Sequence, residues 1–177
     1  MKRISFPAVR IAAWDWCKKI LPMTGAYFLV ELLGVLLLRP ADLTALAFGI
    51  AWAVLLASVG LLLPRLLGRI WFGLTYYFFL LWTLAQTGYD RVFGKMMWLS
   101  DVVYAGEGAT FFADILGKFP LLWWVGGAVL LALGVIVLLQ FPREKTGLLP
   151  NLLPLVGIVL AVVALLVLPR LVFTKDS

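Results

Sequence analysis

Histidine is absent from the 177 residues, and cysteine occurs once, at Cys17. Within this chain that excludes a disulfide framework, a Cys/His zinc site and nucleophilic catalysis of the Ser-His-Asp or Cys-His kind. Charge is scarce too: 14% of residues are charged and 64% are hydrophobic, a balance that soluble domains of this length do not show. Composition therefore predicts a polytopic membrane protein. Cys17, beside Lys18 and Lys19, reads as a small apolar filler rather than a reactive thiol. The net charge of +6 does not imply a nucleic-acid partner, because the basic residues gather at the ends of apolar runs, where anionic lipid headgroups lie.

Five segments are long and apolar enough to cross a bilayer, which takes about 20 residues each. They are residues 20–38, 43–63, 70–88, 120–140 and 149–168. The expected fold is an all-α membrane protein, a bundle of five transmembrane helices. Residues 1–19 carry five basic side chains against Asp15 alone and form an amphipathic lead-in on the membrane surface. The apolar run that follows is too long for a cleaved signal peptide. Basic residues number nine on the N-terminal side (Lys2, Arg3, Arg10, Lys18, Lys19, Arg65, Arg69, Arg143, Lys145) and six on the other. The positive-inside rule then puts the N-terminus in the cytoplasm and, after five crossings, residues 169–177 outside.

Ala41, Ala45, Gly49, Ala53 and Ala57 recur every four residues, a small-residue row along which another helix backbone can approach. Packing within the chain is the first reading of this row, and a homodimer contact is the second. Between the third and fourth spans, residues 92–117 alternate apolar and polar positions at helical spacing, with Gly106 and Gly108 dividing them. Such a segment is expected to lie as interfacial helices on the outer leaflet, with Asp90, Asp101, Glu107 and Asp114 on its polar face. Arg91 and Lys95 are one helical turn apart and close to headgroup depth, with Tyr89 nearby, a set suited to a lipid phosphate. The spacing of the carboxylates matches no metal-ligand motif. Glu31 is the one carboxylate inside a span, where a charge is costly unless paired or facing a polar cavity. Two readings of it stand open: a functional carboxylate, or a structural ion pair or hydrogen bond to another helix, with Arg39 as one partner.

Four features together resemble the membrane domain of the lipoteichoic acid synthase family. They are the five spans with the N-terminus inside, Glu31 in the run Leu29-Val-Glu-Leu-Leu, the sequence Tyr89-Asp-Arg-Val-Phe93 closing the third span, and the long amphipathic connection that follows. Lys95 departs from the acidic or polar residue expected there, and no small-residue protease site stands near Leu168. The resemblance implies a sulfatase-superfamily phosphoglycerol transferase of the bacterial cell membrane, which takes glycerol phosphate from phosphatidylglycerol during cell-envelope biogenesis. In that family a threonine nucleophile and a divalent metal, manganese or magnesium, belong to an extracellular catalytic domain of the same polypeptide. No such domain lies within these residues, so no cofactor is expected in the chain, and its implied role is to anchor and to position the lipid substrate. The alternative reading is a small non-catalytic multi-pass membrane protein, a transporter subunit or assembly scaffold, with Glu31 as a relay.

Overall fold

The computed structural model describes residues 6–38, 43–98, 100–101, 116–142 and 156. Four helices account for nearly all of them: α1 (Phe6–Leu38), α2 (Leu43–Leu62), α3 (Arg65–Phe93) and α4 (Leu121–Leu139). No strand occurs among the described residues. Proline and glycine set the boundaries. A residue preceding proline is pushed out of the helical region, so α2 stops at Leu62 and Pro64 caps α3 from an extended conformation (φ −52°, ψ 145°). Pro120 caps α4 in the same way (φ −64°, ψ 151°). α3 ends where Gly94 takes a left-handed conformation (φ 65°) that a side chain would resist, its N–H donating to the Asp90 carbonyl at 2.8 Å. Pro22 sits inside α1 and cannot donate to the carbonyl four residues back.

The expected five-span bundle is not what the chain forms. Only two segments among the described residues are long and apolar enough to cross a membrane, Trp16–Leu38 in α1 and Leu121–Leu139 in α4. In α2 the apolar run whose side chains are all described is Phe48–Leu62, shorter than the about 20 residues that a crossing needs. α3 has the length but not the composition. Trp71, Thr75, Tyr76, Tyr77, Trp82, Thr83, Gln86 and Thr87 take the place of aliphatic residues, and Arg65, Arg69, Asp90 and Arg91 occupy its ends. The fifth expected span lies outside the described residues apart from Val156.

Less than half of each spanning candidate is buried among the described residues. Leu21, Leu29 and Leu36 of α1 and Leu121, Val129 and Leu139 of α4 are exposed, as are Leu74, Phe78 and Leu81 of α3. A contiguous apolar exterior on this scale marks a surface that meets lipid or protein rather than water.

α1 and α3 each pack against every other helix, while α2 and α4 lie on opposite flanks. α2 and α3 approach closely next to the turn that joins them. A Cβ built on Gly68 would stand 2.3 Å from the Gly60 carbonyl oxygen and 2.9 Å from Cζ of Phe141. Ala53, Ala57 and Ser58 of the small-residue row's helix are buried against the core. Around them, polar side chains of α3 tie the bundle. Tyr76 donates to the Leu130 carbonyl of α4 at 2.7 Å, Trp71 to the Leu56 carbonyl of α2 at 3.1 Å, and the Tyr27 hydroxyl of α1 meets that of Thr75. In return, Trp123 of α4 donates to Thr87 and to the Leu84 carbonyl, both at 3.1 Å.

The glycines predict opposite outcomes for one substitution. Gly68→Ala forces two backbones apart and should cost about 1–3 kcal/mol. At Gly73 the nearest atoms to an added Cβ are Leu138 methyls at 3.7 Å, an ordinary contact. Gly73→Ala should therefore be neutral or stabilise by up to about 1 kcal/mol through helix propensity. Equilibrium unfolding of both variants in detergent micelles checks the contrast.

Candidate functional site

Two places in the fold gather polar side chains that were singled out in the sequence. The first is the exit of α3. Beyond Gly94 the chain turns back on its own helix, and the Gln86 amide holds it there. Gln86 accepts from the Met97 N–H at 2.9 Å through Oε1 and donates to the Met97 carbonyl at 3.0 Å through Nε2. Asp101 closes the next turn. Its Oδ2 accepts from the Trp98 N–H at 3.0 Å, and its own N–H donates to the Trp98 carbonyl at 2.9 Å. Lys95 stands 3.8 Å from that carboxylate and 5.9 Å from the centre of the Tyr89 ring, which packs on Phe93.

Tyr89, Lys95 and Asp101 are thus one cluster. Arg91 is exposed beside it and Asp90 is half-exposed, while Glu107 and Asp114 lie outside the described residues. The folded turn pushes apolar side chains outward: Phe93 and Met96 are exposed, and Trp98 is 73% exposed. Large apolar groups held next to an exposed arginine and lysine form a shoulder suited to a lipid–water interface, where tryptophan and basic residues gather.

The second place is around Glu31. Tyr27, Val30 and Glu31 of α1, Phe48, Gly49, Trp52, Ala53 and Leu56 of α2, and Phe79 and Thr83 of α3 line a pocket of about 350 Å³. Glu31 lies directly over Gly49, since a Cβ built there would stand 2.6 Å from its Cγ. Among the described residues no ion pair or hydrogen bond reaches the Glu31 carboxylate, and Arg39, its suggested partner, lies outside them. The carboxylate and the α3 exit cluster are separate sites.

Sequence spacing did not reveal three of these arrangements. The Gln86–Met97 clasp joins residues eleven apart across a turn. The Gly49–Glu31 contact depends on how α1 and α2 are staggered. A further pocket of about 350 Å³, lined by Lys18, Lys19, Pro22, Met23, Val137, Gln140, Phe141 and Pro142, forms where the start of the α1 span meets the end of α4. The paired lysines were visible in the sequence, but their α4 neighbours were not. Among the described residues no group of three or more Asp, Glu, Cys or His side chains is placed to hold a metal ion.

The α3 exit should respond to acid. The Trp98 N–H, the Lys95 ammonium and the Tyr89 hydroxyl together hold the Asp101 carboxyl below its ordinary range. A lowered carboxyl adds stability above its unfolded value, and that stability is lost as pH falls through the folded value. Hydrogen exchange at the Trp98 amide should therefore accelerate below about pH 4, the ordinary range of an aspartate, beyond the intrinsic pH trend. Asp101→Asn should remove that dependence; an unchanged profile would mean the turn does not rely on the carboxylate. No family model, no curated protein and no solved structure matches this chain.

Proposed function

We propose that the chain is a membrane-embedded helical module that holds and orients an anionic phospholipid at the α3 exit. The observation that carries this reading is the exposed pair Arg91 and Lys95 beside Tyr89, on a shoulder whose Phe93, Met96 and Trp98 are also exposed. The guanidinium and ammonium supply charge-assisted donors for a phosphate, and the apolar side chains fix the shoulder at headgroup depth. Asp101 keeps Lys95 beside the Tyr89 ring and so limits its swing.

In this reading α1 and α4 cross the bilayer of a bacterial cell, α2 and α3 pack beside them, and the N-terminus is cytoplasmic. The basic cluster of Lys18, Lys19, Arg65 and Arg69 supports that orientation. The lipid is phosphatidylglycerol, and the role is the one implied by resemblance to lipoteichoic acid synthases: to bring substrate to a metal-dependent external domain that carries out the transfer. That resemblance rests on the quoted residues alone. Positioning is a real contribution, because holding a reactant at a fixed depth and orientation removes part of the search that transfer otherwise requires. A second reading, a non-catalytic transporter subunit or scaffold, draws on the Glu31 pocket.

The test compares lipid retention by native mass spectrometry for the chain and its Arg91→Ala/Lys95→Ala double variant. Each basic residue near a headgroup contributes about 1 kcal/mol, so the variant should lose its preference for phosphatidylglycerol over phosphatidylcholine by about tenfold or more. Equal preference in both proteins would remove the headgroup role.

A further inference from the structure

We propose that the pocket between α1, α2 and α3 binds a lipophilic organic cation, an ammonium or phosphonium centre within an apolar body, with Glu31 as its counter-ion. The inference goes beyond the headgroup reading and does not depend on it. Its first support is depth. Glu31 lies seven residues before the end of the Trp16–Leu38 span, about 10 Å along the helix. An ionised carboxylate at that depth is costly, no cationic side chain reaches it among the described residues, and a bound cation offsets that cost.

The walls supply the second support. Four aromatic rings, those of Tyr27, Phe48, Trp52 and Phe79, line the same pocket, and Phe48 packs edge-on to Trp52 with centroids 6.0 Å apart. Ring faces attract cations that have shed their water, and none of the lining residues is basic. A volume of about 350 Å³ falls in the range of sites for small organic ligands. Gly49 is part of the design, because any larger residue there would collide with Glu31.

The same lining argues against an inorganic ion. Calcium takes about six to eight oxygen ligands, and magnesium keeps an octahedral shell of oxygens. The pocket offers the Glu31 carboxylate and the hydroxyls of Thr83 and Tyr27, and the latter is already engaged with Thr75. An organic cation needs no such shell. It needs one negative charge and apolar walls.

Tetraphenylphosphonium is a suitable probe, measured by equilibrium binding to the full chain in detergent micelles, with triphenylphosphine oxide as an uncharged compound of similar chemistry. Wild type should bind the cation in preference to the oxide. Glu31 is exposed at the open side of the pocket. Glu31→Gln keeps the side-chain shape and should weaken cation binding by about tenfold or more, as expected for losing a close charge pair in surroundings less polar than water. Glu31→Asp should retain most of it. Trp52→Ala should weaken it by about fivefold, the scale of one cation–π contact. Arg91→Ala should leave it unchanged, which separates this site from the headgroup site. Circular dichroism and micelle size-exclusion profiles establish that each variant is folded. Failure of wild type to bind, equal binding by Glu31→Gln, or binding of the oxide as tight as that of the cation would each overturn the proposal.

Discussion

The bundle depends on hydrogen bonds from side chains to the main-chain carbonyls of neighbouring helices. Tyr76 reaches Leu130, Trp71 reaches Leu56, and Trp123 reaches Leu84. Where helices are surrounded by lipid, apolar contact alone discriminates poorly between a neighbour and a hydrocarbon tail, and polar contacts of this kind contribute about 0.6–1.7 kcal/mol each. They also fix register, since a hydroxyl or indole N–H buried without an acceptor carries a penalty of its own. The Tyr76 ring sits in an aromatic cluster. Phe72 stacks on Tyr76 at 5.3 Å, and Tyr27 meets both edge-on. The Tyr76 donor is therefore held by a rigid, buried aromatic body rather than by a flexible chain.

Close backbone approach follows from the same constraint. Short hydrogen bonds between helices require small residues at the crossings, and Gly68 against Gly60 supplies one. Gly134 supplies another, where an added Cβ would stand 2.4 Å from the Tyr76 ring whose hydroxyl binds α4. Gly126 admits Leu33 of α1 in the same way. Glycine is poor in an isolated helix, costing about 1 kcal/mol relative to alanine. Here that cost is offset by contacts that no larger residue would permit.

Much of the helical content was legible in the sequence, because long runs of Leu, Val and Ala bounded by proline and glycine leave few alternatives. The expected Pro120 boundary corresponds to the cap of α4, and the expected gap near Pro64 separates α2 from α3. The number of spans was not legible. Tyr76, Trp71 and Thr87 look like filler in an apolar run, whereas each of them bridges helices, and that composition takes α3 below the apolarity of a spanning segment. Of the site residues, Arg91 and Lys95 stand out in the sequence as a pair with Tyr89 nearby, whereas the approach of Lys95 to Asp101 depends on the turn beyond Gly94 and not on helical spacing. The surroundings of Glu31 were not recognised, because Phe48, Trp52 and Phe79 come from two other helices and only their stagger brings them to it.

That stagger links the two candidate sites. α3 carries Phe79 and Thr83 into the Glu31 pocket, then Gln86 into the clasp on Met97, all within eight residues of one helix. Thr83 also contacts Gly34, where an added Cβ would lie 3.1 Å from its methyl, so this part of α3 is pressed against α1 as well. A helix held by hydrogen bonds on three sides moves as a rigid body rather than bending between its ends. Displacing Phe79 from the pocket would therefore carry Gln86 with it and disturb the turn that presents Lys95 and Trp98. A ligand seated against Glu31 and a lipid seated at the α3 exit would thus rest on the same helix, each at its own stretch of it.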